Sequence, residues 1–305
     1  MQFFQSLGLS TPDAEDAYRR ATALFAYAAG DAFGLAYEFE PRVAAPVPKE
    51  MLGKDNWPAG GVSDDTLLSL MTLSTLSAAS PSAAAKLFID KLRTNKDLLR
   101  GLGPTTRTVL GMHVEEREHD RIGYSNGGIM RTALVGVALA NKGFEVRNAW
   151  IRELCAVTHD KVDALSTAQV MAEIFAQVTQ FPNLTFEQIL KTVKQQFEMM
   201  SSGFAERIEL WTQTEPNSDG VTLNPVETFS AVIGVIRNSY TVWDSYEQAI
   251  CLGGDTDTVA ALSGAFTALK FPNTFYELDF VKNVDWNEIS NWKDFVNLIT
   301  GGSAN

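Results

Sequence analysis

Apolar residues recur at intervals of three and four along almost every segment of this 305-residue chain. That spacing puts apolar side chains on one face of an α-helix. No segment of useful length alternates apolar and polar residues, as a half-buried strand would. We therefore predict an all-α fold without a sheet. Three segments show the helical spacing most clearly: Leu67, Leu70 and Met71; Phe229, Val232, Ile233 and Ile236; Val259, Leu262, Phe266 and Leu269.

Helix start and stop signals flank several of these segments. Ser80-Pro81 is typical of a helix N-terminus, because serine caps the first free amides and proline fits the first turn. Thr185 and Gln188 have the spacing of a capping box. Asn141-Lys142-Gly143 is typical of a helix end. These signals agree with the helical interpretation.

Polar stretches with glycine or proline, near residues 40–63, 100–106, 120–128 and 212–225, are predicted to be loops. None has the length or composition of an interdomain linker. We therefore predict a single domain over residues 1–305.

The balance of charge excludes some partners. A formal net charge of −12 repels the phosphate backbone of nucleic acids, and no basic run offsets it, so we expect no nucleic-acid partner. The first residues lack the pattern of a signal peptide, and no stretch reaches the roughly 18 apolar residues of a membrane span. We expect no membrane partner and a cytoplasmic location. Cys155 and Cys251 lie in apolar helical contexts and are expected to be reduced.

Two acidic clusters, Ser63-Asp64-Asp65-Thr66 and Asp255-Thr256-Asp257-Thr258, each lie just before an apolar helical segment. We expect Thr258 to open a helix that ends near Lys270. Carboxylate and hydroxyl oxygens are the ligands that hard cations such as Mg²⁺ prefer. Two such cations, about 3.5 to 4 Å apart, can position a water molecule and polarise the bond that it attacks. The alternative is that each cluster only caps its helix. Two clusters together, each preceded by glycines, favour a cation site.

The second cluster, in its place in the chain, fits neither of two other known motifs. Asp255-Thr256-Asp257-Thr258-Val259 also fits the nucleophile motif of haloacid-dehalogenase-type phosphatases, which follows a buried strand early in an α/β domain. Here the preceding segment has a helical pattern, and only 46 residues follow, too few for such a fold. An EF-hand loop fails because Val259 and Ala260 stand where a ligand and a glycine are required.

Six short motifs, taken in order, give the chain a resemblance to the ADP-ribosylglycohydrolase family. They span residues 30 to 264, and the resemblance implies an orthogonal helical bundle that binds two Mg²⁺ or Mn²⁺ ions. The motifs are Gly30-Asp31-Ala32-Phe33-Gly34 with Tyr37-Glu38, Ser63-Asp64-Asp65-Thr66, Thr105-Thr106-Arg107, Ser125-Asn126-Gly127-Gly128-Ile129-Met130-Arg131, Thr158-His159 and Gly253-Gly254-Asp255-Thr256-Asp257-Thr258.

The resemblance also implies roles for individual residues. Glu38 is the candidate general base, with Asp64 and Asp257 as the other catalytic residues. Arg131 is expected to brace the fold, and Asp31 to lie near the site. The implied metal ligands are Ser63, Asp64, Asp65, Asp255, Asp257 and Thr258, and the implied ligand-binding residues are Asn126, Gly127 and Gly128, through backbone amides, and His159, beside the ribose.

The chain departs from the family pattern at two positions. Ser63 replaces the usual threonine before the aspartate pair and keeps the hydroxyl group. Pro104 stands where arginine-specific members carry an acidic residue, and its side chain accepts neither a proton nor a hydrogen bond. The second departure makes an arginine-linked substrate doubtful and leaves serine-linked, O-acetyl and other conjugates open.

These observations predict a dimetal-dependent hydrolase that releases ADP-ribose from a modified protein side chain or a small conjugate. Water would attack at the anomeric carbon. One alternative is a non-catalytic ADP-ribose-binding or structural protein with the same fold, since fold does not fix function. Another is a phosphatase or phosphodiesterase that uses the same cations.

Overall fold

A computed structural model of the chain describes residues 2–55 and 57–301. Within these ranges the secondary structure is helical, with three isolated β-bridges and no sheet, so the predicted all-α fold is confirmed. The α-helices are α1 Gln2–Ser6, α2 Glu15–Gly34, α3 Asp64–Leu73, α4 Pro81–Thr94, α5 Pro104–Val109, α6 Gly127–Ala138, α7 Phe144–Ala156, α8 Val162–Gln180, α9 Phe186–Met200, α10 Phe204–Thr212, α11 Pro225–Arg237, α12 Val242–Leu252, α13 Thr256–Lys270 and α14 Trp292–Thr300.

Most helix ends lie where the sequence predicted them. Ser80 caps α4, and Thr185 and Gln188 form the capping box of α9. Three boundaries differ. Helix α6 ends at Ala138, before the end predicted at Asn141-Lys142-Gly143. Helix α13 begins at Thr256, two residues before Thr258, because the Asp255 carbonyl already accepts the amide of Val259 at 3.3 Å. Helix α5 begins at Pro104, inside a stretch predicted to be a loop, because proline fits the first turn of a helix.

The centre of the molecule is the pair of helices α2 and α13, both almost entirely buried. They approach so closely that a Cβ atom on Gly34 would lie 2.4 Å from the Cα atom of Asp257. A Cβ atom on Gly30 would lie 2.6 Å from the backbone oxygen of Ala260. The glycines of the first motif therefore set the distance between the two helices.

One hydrophobic core includes side chains from Phe4 to Ile299. Cys155 is buried, Cys251 is half-buried, and both are free thiols. Across residues 2–55 and 57–301, no helix is long and apolar enough to cross a membrane.

The N-termini of three helices meet at one place in this bundle. Helices α3 and α13 bring the two acidic clusters, and α6 brings the glycine-rich motif. Long-range hydrogen bonds connect them: the Asn126 amide donates to the Leu223 carbonyl at 3.0 Å, and the Asp255 amide donates to the Val221 carbonyl at 2.8 Å. The loop that contains Val221 and Leu223 thus ties the start of α6 to the start of α13.

Candidate active site

The N-terminus of α3 is capped from two directions. Ser63 Oγ accepts a hydrogen bond from the amide of Asp65 at 3.0 Å. From helix α2, the Asp31 carboxylate accepts the amide of Ser63 at 3.1 Å and that of Thr66 at 3.0 Å. Ser63 Oγ and the Asp31 carboxylate accept these amides, so the carboxylates of Asp64 and Asp65 are not used in capping the helix and can bind another group. Asp31, expected only to lie near the site, is the residue that holds the first cluster in place.

The second cluster follows a turn at Gly253-Gly254. Gly254 has a φ of +74°, a backbone conformation that favours glycine. It also forms isolated β-bridges with Glu40 and Val221, and the backbone of Val221 lies too close for a larger residue. The Asp255 side chain makes no capping bond to α13 within the described chain. Instead, it accepts a hydrogen bond from Asn126 Nδ2, and Asn126 also donates to Thr228 Oγ1 at 2.9 Å. The Asp255 carboxylate is therefore oriented from α6.

The two acidic clusters, 193 positions apart at their contact, meet in the structure. Thr258 Oγ1 donates to Asp65 Oδ2 at 2.7 Å, and the Thr258 amide donates to Asp257 Oδ1 at 2.9 Å. Glu38, Asp255 and Asp257 each offer one carboxylate oxygen, and these three oxygens lie within 4.8 Å of one another. Glu38 thus joins the second cluster, although 217 positions separate it from Asp255 in the sequence.

A cavity of about 260 Å³ opens onto this cluster. Ser63 and Gly128 are absent from its lining: Ser63 is used in capping α3, and a Cβ atom on Gly128 would lie 2.6 Å from Cys155 Sγ. The other residues predicted for the site all line it: Glu38, Asp64, Asp65, Asn126, Gly127, His159, Asp255, Asp257 and Thr258.

Electrostatic repulsion is strong around these carboxylates. Burial, and then the neighbouring Asp257, raise the pKa of Glu38 to about 8 and that of Asp31 to about 7. The same two causes, in the same order, raise the pKa of Asp64, Asp65 and Asp255 well above the usual range. Lys54 lowers the pKa of Glu38 and of Asp257, but less than burial raises it.

The donor set fits a hard divalent cation. Carboxylate oxygens dominate the cluster, hydroxyl groups of Thr258 and Ser63 lie beside it, and the raised pKa values reflect negative charge that the protein alone leaves unbalanced. Mg²⁺ and Mn²⁺ prefer such oxygen ligands. Glu38, Asp255 and Asp257 could hold one cation, with Asp64 and Asp65 on the same cavity surface.

A second group of polar side chains reaches the cavity from α6 and the end of α7. His159 is buried, and both its ring nitrogens have partners: Nδ1 lies 2.8 Å from Thr158 Oγ1, and Nε2 lies 2.9 Å from Ser125 Oγ. Arg131 Nη2 donates to Thr158 Oγ1 at 2.7 Å and to the Leu154 carbonyl at 2.6 Å. The Arg131 guanidinium also lies 4.4 Å from the centre of the Phe88 ring. These contacts agree with the expectation that Arg131 braces the fold.

Sequence reasoning missed two residues that contribute to the site. Ser125 lines the cavity and contacts His159, yet the motif that contains it predicts no role for its side chain. Lys54 lies in a predicted loop, and no pattern in the sequence indicated that its ammonium group reaches the Glu38 carbonyl. The position of Ser125 directly before Asn126 was a signal that could have been used, whereas Lys54 offered none.

Beside Asp64 the cavity wall is formed by Gly101, Leu102, Gly103 and Pro104. A Cβ atom on Gly101 would lie 3.0 Å from Asp64 Oδ1, which shows how closely this segment covers the carboxylate. Pro104 is buried in the wall, so this part of the lining carries no charged side chain within residues 101–104.

A second cavity, of about 600 Å³, adjoins the first. Phe39, Arg121, Ser125 and Leu223 line both. Phe39 is 61% exposed and has a φ of +57°, a conformation uncommon for a bulky residue. Together the two cavities form a cleft that is acidic at the carboxylate cluster and less charged farther away.

Comparisons with known proteins agree with this geometry. The sequence model of the ADP-ribosylglycohydrolase family matches residues 11–271. A solved structure described as an ADP-ribosylglycohydrolase-related protein complex contains a chain with a similar fold: the TM-score is 0.67, the sequence identity is 19%, and the match covers 95% of this chain and 99% of that one. A search of curated proteins by sequence found no match.

Proposed function

This chain belongs to the ADP-ribosylglycohydrolase family, and we propose that it is a cation-dependent hydrolase that releases ADP-ribose from a modified side chain or a small conjugate. The observation that carries the proposal is the meeting of two acidic helix N-termini and Glu38 around one cavity. Buried carboxylates of the same sign are costly unless a cation balances them. A structural role alone would not require five of them on one surface.

Asp64, Asp65, Asp255 and Asp257, with the hydroxyl group of Thr258, would hold two Mg²⁺ or Mn²⁺ ions, and Ser63, predicted as a further ligand, would instead hold the start of α3 in place. When bound, such cations supply Lewis acidity to oxygen atoms of the substrate and of the attacking water. Asp257 is the centre of this set, because its negative charge contributes to the raised pKa of Glu38, Asp64, Asp65 and Asp255. Removing it would disturb both clusters at once.

Glu38 would act as the general base. Its carboxylate lines the cavity, lies close to Asp255 and Asp257, and has a pKa raised to about 8 in the absence of cations. A base with a pKa near the working pH is an effective proton acceptor. In the proposed reaction Glu38 takes a proton from the water that attacks the anomeric carbon, and Lys54 stabilises the Glu38 carboxylate that carries out this step. The bond from the anomeric carbon to the acceptor breaks, and the acceptor leaves with the electron pair and takes up a proton.

The remainder of ADP-ribose would extend along the cleft. The diphosphate carries negative charge, which suits the N-terminus of α6, where the backbone amides and the helix dipole favour anions. Asn126 and Gly127 lie there, and the adjoining cavity of about 600 Å³ offers room for the rest of the nucleotide. The ribose bonded to the acceptor would then lie against the carboxylate cluster.

The acceptor would be neutral rather than a guanidinium group. The wall beside Asp64 presents Leu102 and Pro104, and neither side chain can accept a hydrogen bond from a guanidinium. Arg107 also lines the cavity, but its guanidinium is paired with the Glu118 carboxylate at 2.6 Å, so the preference rests on the uncharged wall alone. We therefore expect serine-linked or O-acetyl conjugates to be better substrates than arginine-linked ones.

The test is to incubate the purified protein with arginine-linked and serine-linked ADP-ribosyl peptides and with O-acetyl-ADP-ribose. Each reaction is run with Mg²⁺, with Mn²⁺ and with EDTA, and free ADP-ribose is measured by mass spectrometry. Cation-dependent release, fastest from a neutral acceptor, is the expected result. Binding of ADP-ribose with no release from any conjugate would instead support a non-catalytic binding protein, and release of inorganic phosphate would support a phosphatase.

A further inference from the structure

Ser125 is the buried hydroxyl group at the junction of the two cavities. Ser125 is only 8% exposed, and it lines both cavities. Its Oγ atom lies 2.9 Å from His159 Nε2 and 3.5 Å from Thr105 Oγ1. The direction of its hydroxyl proton decides what it can bind, and that direction depends on which nitrogen of His159 carries a proton.

The surroundings of Thr158 fix the proton of His159. Thr158 Oγ1 accepts a hydrogen bond from Arg131 and has two possible acceptors for its own proton. One is His159 Nδ1 at 2.8 Å, and the other is the Cys155 carbonyl at 3.4 Å. The Cys155 carbonyl already accepts the amides of Thr158 at 3.1 Å and of His159 at 2.9 Å. The Thr158 proton therefore goes to Nδ1, so Nδ1 carries no proton.

The charge on Arg131 favours the same tautomer. An oxygen that accepts a hydrogen bond from a guanidinium becomes a stronger donor and a weaker acceptor. An N–H group on Nδ1 would also point its positive end toward that charge. Burial, and then Arg131, lower the pKa of His159 to about 3, which keeps the ring neutral. A neutral ring with an unprotonated Nδ1 carries its proton on Nε2.

Ser125 then accepts a hydrogen bond from His159 and keeps its own proton free. Thr105 Oγ1 is a poor acceptor for this proton, because it lies 3.5 Å away and already accepts the Gly123 amide at 2.9 Å. The proton is therefore available to a group in the cavity. The same polarity prevents His159 from deprotonating Ser125, so the pair does not act as a serine nucleophile with its base.

The backbone next to Ser125 offers further donors. Helix α6 starts at Gly127, and the amides of Gly127 and Gly128 have no hydrogen-bond acceptor among the residues that the structure describes. The N-terminus of a 12-residue helix attracts negative charge. The free hydroxyl proton of Ser125 and the free amide of Gly127, which lines the same cavity, suit an oxygen that only accepts hydrogen bonds and carries negative charge.

We propose that Ser125 is a ligand-binding residue that donates its hydroxyl proton to a phosphoryl oxygen. Thr158 and His159 are positioning residues behind it, which set the polarity of the hydrogen bonds, and Arg131 acts on them through Nη2. Arg131 also lines the cavity, and its Nη1 has no hydrogen-bond partner among the described residues. The inference rests on the proposed function, since the phosphoryl oxygen belongs to ADP-ribose. It also changes the expectation for His159, whose ring nitrogens are both occupied by protein partners.

The polarity is tested by ¹⁵N NMR of the histidine rings, without substrate. His113 and His119 are exposed, so the variants His113→Gln and His119→Gln identify their signals and leave those of His159. The expected result is a neutral His159 with its proton on Nε2. In Thr158→Val the hydroxyl group that donates to Nδ1 is lost, so the tautomer with the proton on Nδ1 is expected to become populated. A proton on Nδ1 in the wild-type protein would overturn the proposal.

The ligand contact is tested by calorimetric titration of the Mg²⁺-loaded protein with ADP-ribose. Loss of a hydrogen bond to a charged oxygen in Ser125→Ala should weaken binding about tenfold or more. Ser125→Thr should restore part of the affinity, and Thr158→Val should weaken binding, although Thr158 does not line the cavity. Thr179→Val is the matched control, because the buried Thr179 hydroxyl bonds only to the Phe175 carbonyl in its own helix at 2.7 Å.

Unchanged affinity in Ser125→Ala would overturn the ligand contact. If the wild-type protein does not bind ADP-ribose, the proposed function fails, whereas the NMR measurement still decides whether Ser125 presents its proton to the cavity. The two failures are therefore distinguishable.

Discussion

Two groups of side chains at the same cavity differ in their charge: one contains several negative charges, and the other contains a single positive charge. The carboxylate cluster around Asp257 collects several charges of one sign, and the pKa of each carboxylate is raised by burial. The group behind Ser125 contains one buried charge, on Arg131, which is shared among a hydroxyl group, backbone carbonyls and the Phe88 ring. The comparison teaches that the second group pairs most of its polar atoms within the described chain, with Arg131 Nη1 left without a partner, whereas the first group needs positive charge from outside.

The strongest way to break the carboxylate cluster is Asp257→Ala. We expect turnover to fall on the order of 1,000-fold, the magnitude typical of removing one electrostatic stabiliser of a transition state. Helix content by circular dichroism should stay unchanged, and the ¹⁵N signals of His159 should stay in place because the second group is independent. The exposed Asp279→Asn is the control for loss of an aspartate. Activity retained in Asp257→Ala would rule out the cation mechanism.

The substitution Glu38→Gln tests whether Glu38 is the general base or a ligand of the cation. Loss of a general base should lower kcat about 100-fold, while the cation still raises the melting temperature. Kinetics and thermal unfolding of the same preparation provide the measurement. A rate near that of the wild type would dismiss Glu38 as the base, and loss of the cation effect would make it a ligand instead, as its proximity to Asp255 and Asp257 allows.

Divalent cations should stabilise the folded protein by binding the carboxylate cluster, and they should not change the group behind Ser125. At a concentration one hundred times the Kd, a ligand that binds only the folded state adds about 2.7 kcal/mol to the free energy of unfolding. We expect Mg²⁺ or Mn²⁺ to raise Tm and EDTA to reverse the effect. Asp257→Asn, which removes one of the mutually repelling charges, should be at least as stable as the wild type in EDTA and should gain less from cations. A Tm that does not respond to any divalent cation would contradict the comparison.

The smallest expected effect comes from the helix pair that carries Asp257. In Gly34→Ala the new methyl group would lie 2.4 Å from the Cα atom of Asp257, so α2 and α13 must separate. We expect a loss of about 2 kcal/mol in stability. Gly234→Ala is the matched control: Gly234 is an exposed helical glycine with open space around it, and alanine there should stabilise by about 0.5 to 1 kcal/mol. Chemical denaturation of both variants measures the difference, and equal stability of the two would disprove the close-packing role.

Much of the fold could be predicted, because helix signals are local. Ser80, Thr185 and the apolar spacing indicated helices α4 and α9 from a few neighbouring residues each. The family motifs named most of the residues that line the cavity. Asp31 shows the limit: the resemblance placed it only near the site, and the structure shows that it caps α3 from a different helix.

Sequence by itself determined that the chain is helical, that two acidic clusters begin helices, and that glycines accompany them. These features depend on residues close together in the chain, where periodicity, capping and backbone freedom act. Tertiary structure alone decided that Thr258 reaches Asp65 across 193 positions and that His159 uses both ring nitrogens on protein partners. Such contacts depend on how helices pack in three dimensions, and no local pattern records the distance between Gly34 and Asp257.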